Sequence, residues 1–200
     1  MLATGCEPKV QEQDKYEPSG TFPLRLISAT FPTSQKLAKN SRMQIIVENA
    51  GTKRVPDINV TVKCPGTGLG GSFMTTLSEQ DVADPERPQF IVDHIPTRTM
   101  RKNPPLDPAP IERTSAFVDT YPLGPLEPNH TATFRWDVTA VKAGPFKLCW
   151  RVNAGLYGKA KAVAASDSAP ISGAFSGEVS NKAPKSRVAD DGKTVIEGTR

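Results

Sequence analysis

The sequence predicts an all-β protein with long loop insertions and flexible termini. Two observations predict it. Stretches of alternating apolar and polar side chains recur along the chain, most clearly from Thr131 to Asn153, and a period of two is the signature of a half-buried strand. The chain also contains nineteen Pro and fifteen Gly residues, which indicate a loop-rich protein. A length of 200 residues is enough for one domain with a substantial core.

The stretch from Thr131 to Asn153 contains both tryptophans of the chain. Each half alternates, and the apolar positions that share one face are Phe134, Trp136, Val138, Phe146, Leu148, Trp150 and Val152. Between the halves, the segment 142–145 (Lys-Ala-Gly-Pro) is typical of a turn. The sequence therefore predicts a β-hairpin whose two tryptophans lie in the core.

Further strands are expected on the same grounds at residues 22–29, 41–52, 55–64, 72–77, 89–95, 115–121 and 171–179. The pair 41–52 and 55–64 is predicted to form a second hairpin-like unit. Residues 32–36 are expected to turn the chain, and residues 154–169 to form a long loop, with a helical turn as the alternative. Gly173 and Gly177 weaken the closing strand and favour an edge position for it.

Three regions follow from this pattern. Residues 1–21 combine the start of the chain with a polar, disordered tether, residues 22–180 form the β domain, and residues 181–200 form a mobile C-terminal tail. Within that tail, a further strand at Thr194–Glu197 is left open.

Several motifs resemble those of bacterial cell-adhesion-related (CARDB-type) immunoglobulin-like domains. They are the strand end 47–52 (Val-Glu-Asn-Ala-Gly-Thr), the strand 58–62, the turn 124–129 (Gly-Pro-Leu-Glu-Pro-Asn) before the aromatic strand, and the glycine turn 144–146. Asn129 stands where the family usually has Gly. Residues 155–162 also resemble uncharacterised secreted, lipoprotein-like proteins of Actinobacteria. The resemblance implies an immunoglobulin-like antiparallel β-sandwich of about seven strands, located at the cell surface, and it implies no reaction.

The N-terminus resembles the end of a bacterial lipobox, in which signal peptidase cuts before a cysteine that is then lipidated. The resemblance covers residues 3–6 (Ala-Thr-Gly-Cys) and makes Cys6 the expected lipidation site. A charged start and an apolar stretch are missing, as a truncated signal would explain. The alternative is an ordinary cytosolic N-terminus with a chance cysteine.

No constellation of residues indicates catalysis, a cofactor or a metal, so the sequence predicts that the protein is not an enzyme. His94 and His130 lie in separate segments, without ligand spacing for zinc or copper. Asp93 and His94 invite a catalytic triad, but no nucleophile elbow accompanies them. Residues 66–71 are glycine-rich but precede a predicted strand rather than the helix that a phosphate loop requires.

The other two cysteines, Cys64 and Cys149, are the obvious pair if the protein is extracytoplasmic. The immunoglobulin-like order makes their strands neighbours in one sheet. However, Cys64 continues an inward-facing set of side chains, whereas Cys149 lies between inward-facing Leu148 and Trp150. Cysteines on opposite faces cannot reach bonding distance, so the phase argues against a disulfide unless Pro65 bends the strand end.

The expected function is therefore that of a non-catalytic, extracytoplasmic module, lipid-anchored at the bacterial cell envelope. Its role would be structural, adhesive or protein-binding, with a protein or cell-wall polymer as partner, through the insertions 65–88 and 96–114. The alternative is an accessory subunit that docks on a membrane or envelope enzyme complex. A net charge of +4 spread along the chain does not indicate a nucleic-acid footprint, and contact with the membrane is expected only through the lipid.

Overall fold

The computed structural model describes residues 17–64, 74–75, 88–97, 119–182 and 186–197. The described residues form thirteen strands. They are β1 (Gly20–Thr30), β2 (Ser34–Lys36), β3 (Asn40–Asn49), β4 (Asn59–Val62), β5 (Met74–Thr75), β6 (Phe90–His94), β7 (Thr120–Pro122), β8 (Thr131–Ala140), β9 (Gly144–Asn153), β10 (Ala160–Ala164), β11 (Ser172–Ser180), β12 (Ser186–Val188) and β13 (Val195–Glu197).

Eleven of these strands form two sheets, which we call sheet A and sheet B. Sheet A has the order β10-β1-β3-β8-β6-β5 and sheet B the order β2-β11-β9-β4-β7. Side chains from both sheets meet in one core, so the fold is a β-sandwich. The predicted fold class is confirmed.

The strand order is that of an immunoglobulin-like sandwich. Strands β1, β3, β8 and β6 follow the order A-B-E-D of a constant-type domain, and β11, β9 and β4 follow the order G-F-C on the facing sheet. The shorter strands β2, β5, β7 and β10 extend these sheets at their edges. They raise the number of strands in the described sheets above the predicted seven.

Strands β8 and β9 supply the centre of the core, as their alternating pattern predicts. Trp136 on β8 is fully buried and Trp150 on β9 is 5 % exposed. The neighbouring outward positions Arg135 and Arg151 are exposed. The predicted phase of both strands is confirmed.

The prediction that these two strands form a hairpin is wrong. Strand β8 pairs with β3 and β6 in sheet A, whereas β9 pairs with β11 and β4 in sheet B. Residues 141–143 therefore carry the chain across the core from one sheet to the other. An alternating pattern shows only that each strand buries one face. Two strands of one hairpin and two strands from facing sheets both bury one face, so the pattern does not distinguish these arrangements.

The second predicted hairpin-like unit is corrected in the same way. Strand β3 lies in sheet A and β4 in sheet B. The crossing is held by Asn49, whose fully buried side-chain amide donates to the carbonyls of Lys53 at 2.9 Å and Leu126 at 3.0 Å. Its Oδ1 accepts from the amide of Gly51 at 3.0 Å. Asn49 thus satisfies the polar backbone of the crossover, where no strand partner does.

Two segments that the sequence predicts as a turn and a loop contain short parallel strands. β2, inside 32–36, pairs with β11, and β10, inside 154–169, pairs with β1. Neither segment has a clear period of two, because each strand lies at a sheet edge and buries few side chains. Their pairing depends on backbone groups that only the folded sheets present.

Strand β11 is predicted to close the sandwich at an edge. It lies between β9 and β2, but β2 covers only Glu178–Ser180. Its glycines have a packing reason: a Cβ on Gly173 would come within 2.5 Å of the Trp150 ring, and one on Gly177 would meet the Thr33 carbonyl oxygen. Glycine here lets aromatic rings and a neighbouring chain lie against the strand backbone.

The strand left open at Thr194–Glu197 is present as β13, which pairs antiparallel with β12 in a separate two-stranded sheet. The turn before it is shaped by Asp191, whose carboxylate accepts from the amides of Lys193 and Thr194, each at 2.9 Å, and from the Thr194 hydroxyl. The predicted boundary between sandwich and tail, at residue 181, stays a prediction.

Asn129 adopts the left-handed conformation that the resemblance assigns to its position, with φ at 60°. Asparagine tolerates this region better than most residues. Its amide donates to the Asn49 carbonyl at 2.8 Å, so the turn before β8 is tied to the end of β3.

Candidate binding surface

The two insertions that the sequence proposes as a binding surface attach to the same side of the sandwich. The first leaves sheet B after β4 and returns at β6 in sheet A. The second leaves β6 and returns at β7, the edge strand of sheet B. We call this the insertion side. Apart from residues 74–75, 88 and 96–97, the insertions 65–88 and 96–114 lie outside the described residues.

A disulfide between Cys64 and Cys149 fixes the start of the first insertion, with the two Cα atoms 4.7 Å apart. The phase argument against this bond is wrong. The strands are neighbours as expected, but the ladder between β4 and β9 ends at the pair Val62 and Trp150. Beyond Val62 no pairing fixes the direction of the chain, so strand alternation does not govern where the Cys64 side chain points.

This disulfide differs from that of antibody domains, which joins the two sheets across the core. Here it joins neighbouring strands within sheet B. The core therefore does not depend on it for contact between sheets. It instead clamps the exit of the 65–88 insertion to the centre of the sheet.

Asp119 and Tyr121 fix the return of the second insertion. Asp119 is buried with φ at 68°, and its carbonyl accepts from the Val62 amide at 2.8 Å. Tyr121 packs edge-on against Trp136, with ring centroids 5.4 Å apart. Burial, together with the nearby Asp119 carboxylate, raises the pKa of the Tyr121 phenol. These residues build a rigid platform behind the insertion side.

An exposed apolar patch in or beside the first insertion would favour docking on a partner, and this stretch contains the large apolar residues Phe73, Met74, Leu77 and Phe90. Phe90 is 1 % exposed and packs edge-on against Phe146 in the core. It therefore contributes no surface patch. Phe73 and Leu77, and the side chain of Met74, lie outside the described residues.

Asp93 and His94 lie on the outer face of sheet A, and among the residues that the structure describes no serine completes a catalytic triad with them. The Asp93 carboxylate accepts from Asn40 at 2.8 Å and from the Thr139 hydroxyl at 2.7 Å. Nδ1 of His94 lies 3.9 Å from Asp137, and the His94 side chain is 80 % exposed. Within the described chain no hydroxyl group hydrogen-bonds to the His94 ring.

The acid next to His94 is already engaged. The Arg42 guanidinium donates to both Asp137 oxygens, at 2.7 and 3.3 Å. This hydrogen bonding lowers the pKa of Asp137 and raises that of Arg42. These contacts cross from β3 to β8 and β6, as polar cross-strand pairs on a solvated sheet face do. Together with the hydrogen bonds of Asp93, they tie the three strands to one another on the outer face of sheet A.

Metal-binding chemistry gains no support from the placement of the histidines and cysteines. Among the described residues, no three His, Cys, Asp or Glu side chains converge on a site that could hold a metal ion. Cys149 is bonded to Cys64 and so offers no thiolate, which a blue-copper site requires. His130 lies at the β8 turn, where Nδ1 is 3.0 Å from the Pro128 carbonyl oxygen.

At the other side of the sandwich, Glu17 binds the loop between β9 and β10. Its carboxylate accepts from the Tyr157 amide at 2.6 Å and from the Ala160 amide at 2.8 Å. The sequence gives no signal for this contact, because Glu17 lies in the polar segment that is predicted to be a disordered tether. The contact places the start of the described chain beside β10. Cys6, the expected lipidation site, lies outside the described residues.

No protein-family model matches the chain, and no curated protein has a similar sequence. Among solved structures, it is similar to a CARDB domain from Pyrococcus furiosus, crystallised with di-metal ions. The identity is 14 %, the match covers 80 % of this chain and 90 % of that one, and the TM-score is 0.43. It is also similar to a PapD-like domain of human CEP192, at 16 % identity, 91 % and 100 % coverage and a TM-score of 0.41.

A third similar structure is AvmM, which catalyses macrocyclization in alchivemycin A biosynthesis, at 9 % identity, 80 % and 91 % coverage and a TM-score of 0.36. All three likenesses are loose, so the immunoglobulin-like assignment rests on the strand order of the two sheets. A CARDB domain is among the similar structures, as the sequence predicts, whereas the resemblance to actinobacterial proteins is without support. Among the described residues, no helix has the length and apolar character that a bilayer crossing needs.

Proposed function

We propose that this protein is a non-catalytic immunoglobulin-like module of the bacterial cell envelope, working outside the cytoplasm and held to the membrane by a lipid on Cys6. The observation that supports this location is the disulfide between Cys64 and Cys149. Structural disulfides form and persist in oxidising compartments and are rare in the cytosol, where thiols are kept reduced.

The proposed anchor is supported by the resemblance of residues 3–6 to a lipobox. Glu17 holds the end of the tether beside β10, on the side of the sandwich opposite β6 and β7. The insertion side would therefore point away from the tether attachment. One acyl chain binds a membrane only marginally, whereas two or more anchor a protein stably.

The proposed role is binding of a protein or a cell-wall polymer by the insertions 65–88 and 96–114. Support comes from the rigidity of their attachment points: the disulfide at Cys64, the buried Asp119, and the packing of Tyr121 on Trp136. Loops on such a scaffold are where binding residues are concentrated.

The location is tested by fractionating the native host and measuring the intact mass of the protein before and after reduction. We expect a membrane fraction, a mass increase from acyl chains on Cys6, and a gain of two hydrogens on reduction. Cys6→Ser in the full gene should release the protein to a soluble fraction. A cytosolic wild-type protein with free Cys64 and Cys149 would overturn the proposal.

The role is tested by replacing residues 98–112 with a short Gly-Ser linker, which leaves the disulfide and Asp119 in place. We expect binding to purified cell-wall sacculi or to envelope proteins to fall while the melting temperature changes by only a few degrees. A matched control replaces the loop 166–168 on the tether side. Unchanged binding in the first variant would contradict the role given to the 96–114 insertion.

A further inference from the structure

Strand β11 has an open outer edge along part of its length. The backbone N–H and C=O groups of its odd-numbered residues point towards β9, as the hydrogen bond from the Val152 amide to the Ile171 carbonyl indicates. The Glu178 amide and the Ser180 carbonyl bond on the opposite side, to Thr33 and Leu37. Because alternate residues of a strand direct their backbone groups to opposite sides, Ser172, Ala174 and Ser176 face outward. No described strand pairs with them.

This edge lacks the features that keep natural sheet edges from pairing. Between Ser172 and Gly177 there is no charged side chain and no proline, and the pairing with β9 continues without a bulge. The uncovered half of β1 differs, because it carries Arg25 and a bulge between Leu26 and Ser28. Charges, prolines and bulges are the usual protections of an edge, so of these two edges β11 is the one that is competent to accept a strand.

Two cations lie beside this edge on the outer face of sheet B. Lys147 is the cross-strand neighbour of Ser176, and Arg151 is the neighbour of Ser172. Both are exposed, and no ion pair of the described residues includes either of them. Glu178, the one acid on β11, lies next to β2, beyond the open stretch.

The small side chains between them let these cations reach an added strand. A strand on the open edge would lie two strand spacings from β9, about 10 Å. Serine and alanine on β11 do not block that path on the outer face, and lysine and arginine have long flexible stems. The β11 residues opposite Lys147 and Arg151 are four positions apart. The two cations therefore match acidic side chains at positions i and i+4 on the outer face of the added strand.

We propose that the edge of β11 from Ser172 to Ser176 binds an extended, acidic segment of a partner protein by strand addition. Backbone bonds to Ser172, Ala174 and Ser176 supply the pairing, and Lys147 and Arg151 select carboxylates on the outer face. This inference deepens the proposed protein-binding role and rests on it for the presence of a partner. It uses a surface separate from the insertions.

The test uses the oxidised full chain and the capped peptide Thr-Glu-Val-Thr-Val-Glu-Thr, which is palindromic and so presents both acids in either direction. Chemical-shift changes and slowed amide exchange are expected at Ser172, Ala174 and Ser176. Replacing both Glu by Lys in the peptide should weaken binding roughly 2- to 30-fold, from two exposed charge pairs. That difference should shrink at about 0.5 M salt.

Two test variants, with Ala174→Val as a control, separate the contribution of the backbone hydrogen bonds to peptide binding from that of the two cations. Ala174→Pro removes the central outward N–H, which an edge strand tolerates, and should abolish binding, whereas Ala174→Val should retain it. The double variant Lys147→Gln and Arg151→Gln should bind the acidic and the basic peptide equally. Tryptophan fluorescence and near-ultraviolet circular dichroism verify that each variant is folded.

Three results would overturn the proposal: no shift at the three amides at millimolar peptide, equal affinity of the two peptides for the wild-type chain, or a concentration-dependent dimer that Ala174→Pro abolishes. The last would mean that a second copy occupies the edge. Failure of the envelope location, with reduced cysteines in the cytosol, leaves the peptide result unaffected, so the two proposals can fail separately.

Discussion

Trp150 lies directly against the backbone of Gly173, so that a Cβ built on Gly173 would stand 2.5 Å from Cζ2 of the indole. The two residues are partners in the pairing of β9 with β11. The indole, 5 % exposed, therefore covers the glycine and closes the core at this edge. Glycine weakens an isolated strand, but at this position it makes room for the largest side chain of sheet B.

Gly173→Ala is expected to destabilise the protein by about 1–3 kcal/mol, since the methyl group forces the Trp150 ring or the strand to shift. Urea denaturation measures the effect. Ala174→Val adds bulk at the next, exposed position and is the control, with an expected change within about 0.5 kcal/mol. Equal effects of the two substitutions would contradict the packing of Trp150 on Gly173.

Replacing Trp136 or Trp150 with Ala is expected to cost about 3–5 kcal/mol each, because either change leaves a large cavity in the shared core. Such a loss is comparable to the whole stability of an ordinary domain. Circular dichroism during thermal melting tests it, with the exposed Arg135→Ala as the control. A melting temperature near that of the wild type for either tryptophan variant would contradict its place in the core.

The double variant Cys64→Ser and Cys149→Ser is expected to lose about 2–5 kcal/mol, since the bond closes a loop of 85 residues in the unfolded chain. The two sheets should still pack, because the bond lies within sheet B. Denaturation of the oxidised wild type and of the variant measures the difference. Cys6→Ser is the matched control, and a double variant as stable as this control would argue against the disulfide.

Tyr121→Phe is expected to be neutral or stabilising by up to about 1 kcal/mol, a result opposite to most core substitutions. The Tyr121 hydroxyl is buried and has no hydrogen-bond partner among the described residues. Removing it ends a desolvation cost, while the ring contact with Trp136 is kept. Tyr121→Leu, which removes that contact, should destabilise. A clear loss of stability in Tyr121→Phe would mean that the hydroxyl has a partner.

The β12–β13 hairpin is expected to weaken in acid because of Asp191. Its hydrogen bonds from Thr194 and Lys193 lower the pKa of its carboxyl from 3.8 to about 2. A carboxyl whose pKa is lower in the folded than in the unfolded state stabilises the folded state at pH values above its unfolded-state pKa. This stabilisation is lost as the pH falls through its folded-state pKa. Amide shifts of Lys193 and Thr194 should therefore change mainly between pH 4 and 2. Asp191→Asn, which keeps one acceptor but no charge, should remove the dependence.

The resemblance stated from the sequence and the observed strand order agree on the immunoglobulin-like sandwich, but the surface features were harder to foresee. The edge of β11 could have been suspected from its uncharged stretch between Ser172 and Gly177. Its match to Lys147 and Arg151 depends on the register with β9, which no local pattern encodes. The contact of Glu17 with Tyr157 joins residues 140 positions apart and leaves no trace in either segment.

The alternation of side chains along β3, β4, β8 and β9 is enough to predict which of them face the core, because burial of one strand face imposes a period of two on local residue choice. The neighbours of each strand within a sheet, in contrast, cannot be predicted from this alternation. The crossing of the core between Ala140 and Gly144, and the bond from Cys64 to Cys149, follow from where each ladder ends. Pairing is made by backbone groups that every residue carries alike, so the order of strands is set by the packing of the two sheets and not by any single stretch of sequence.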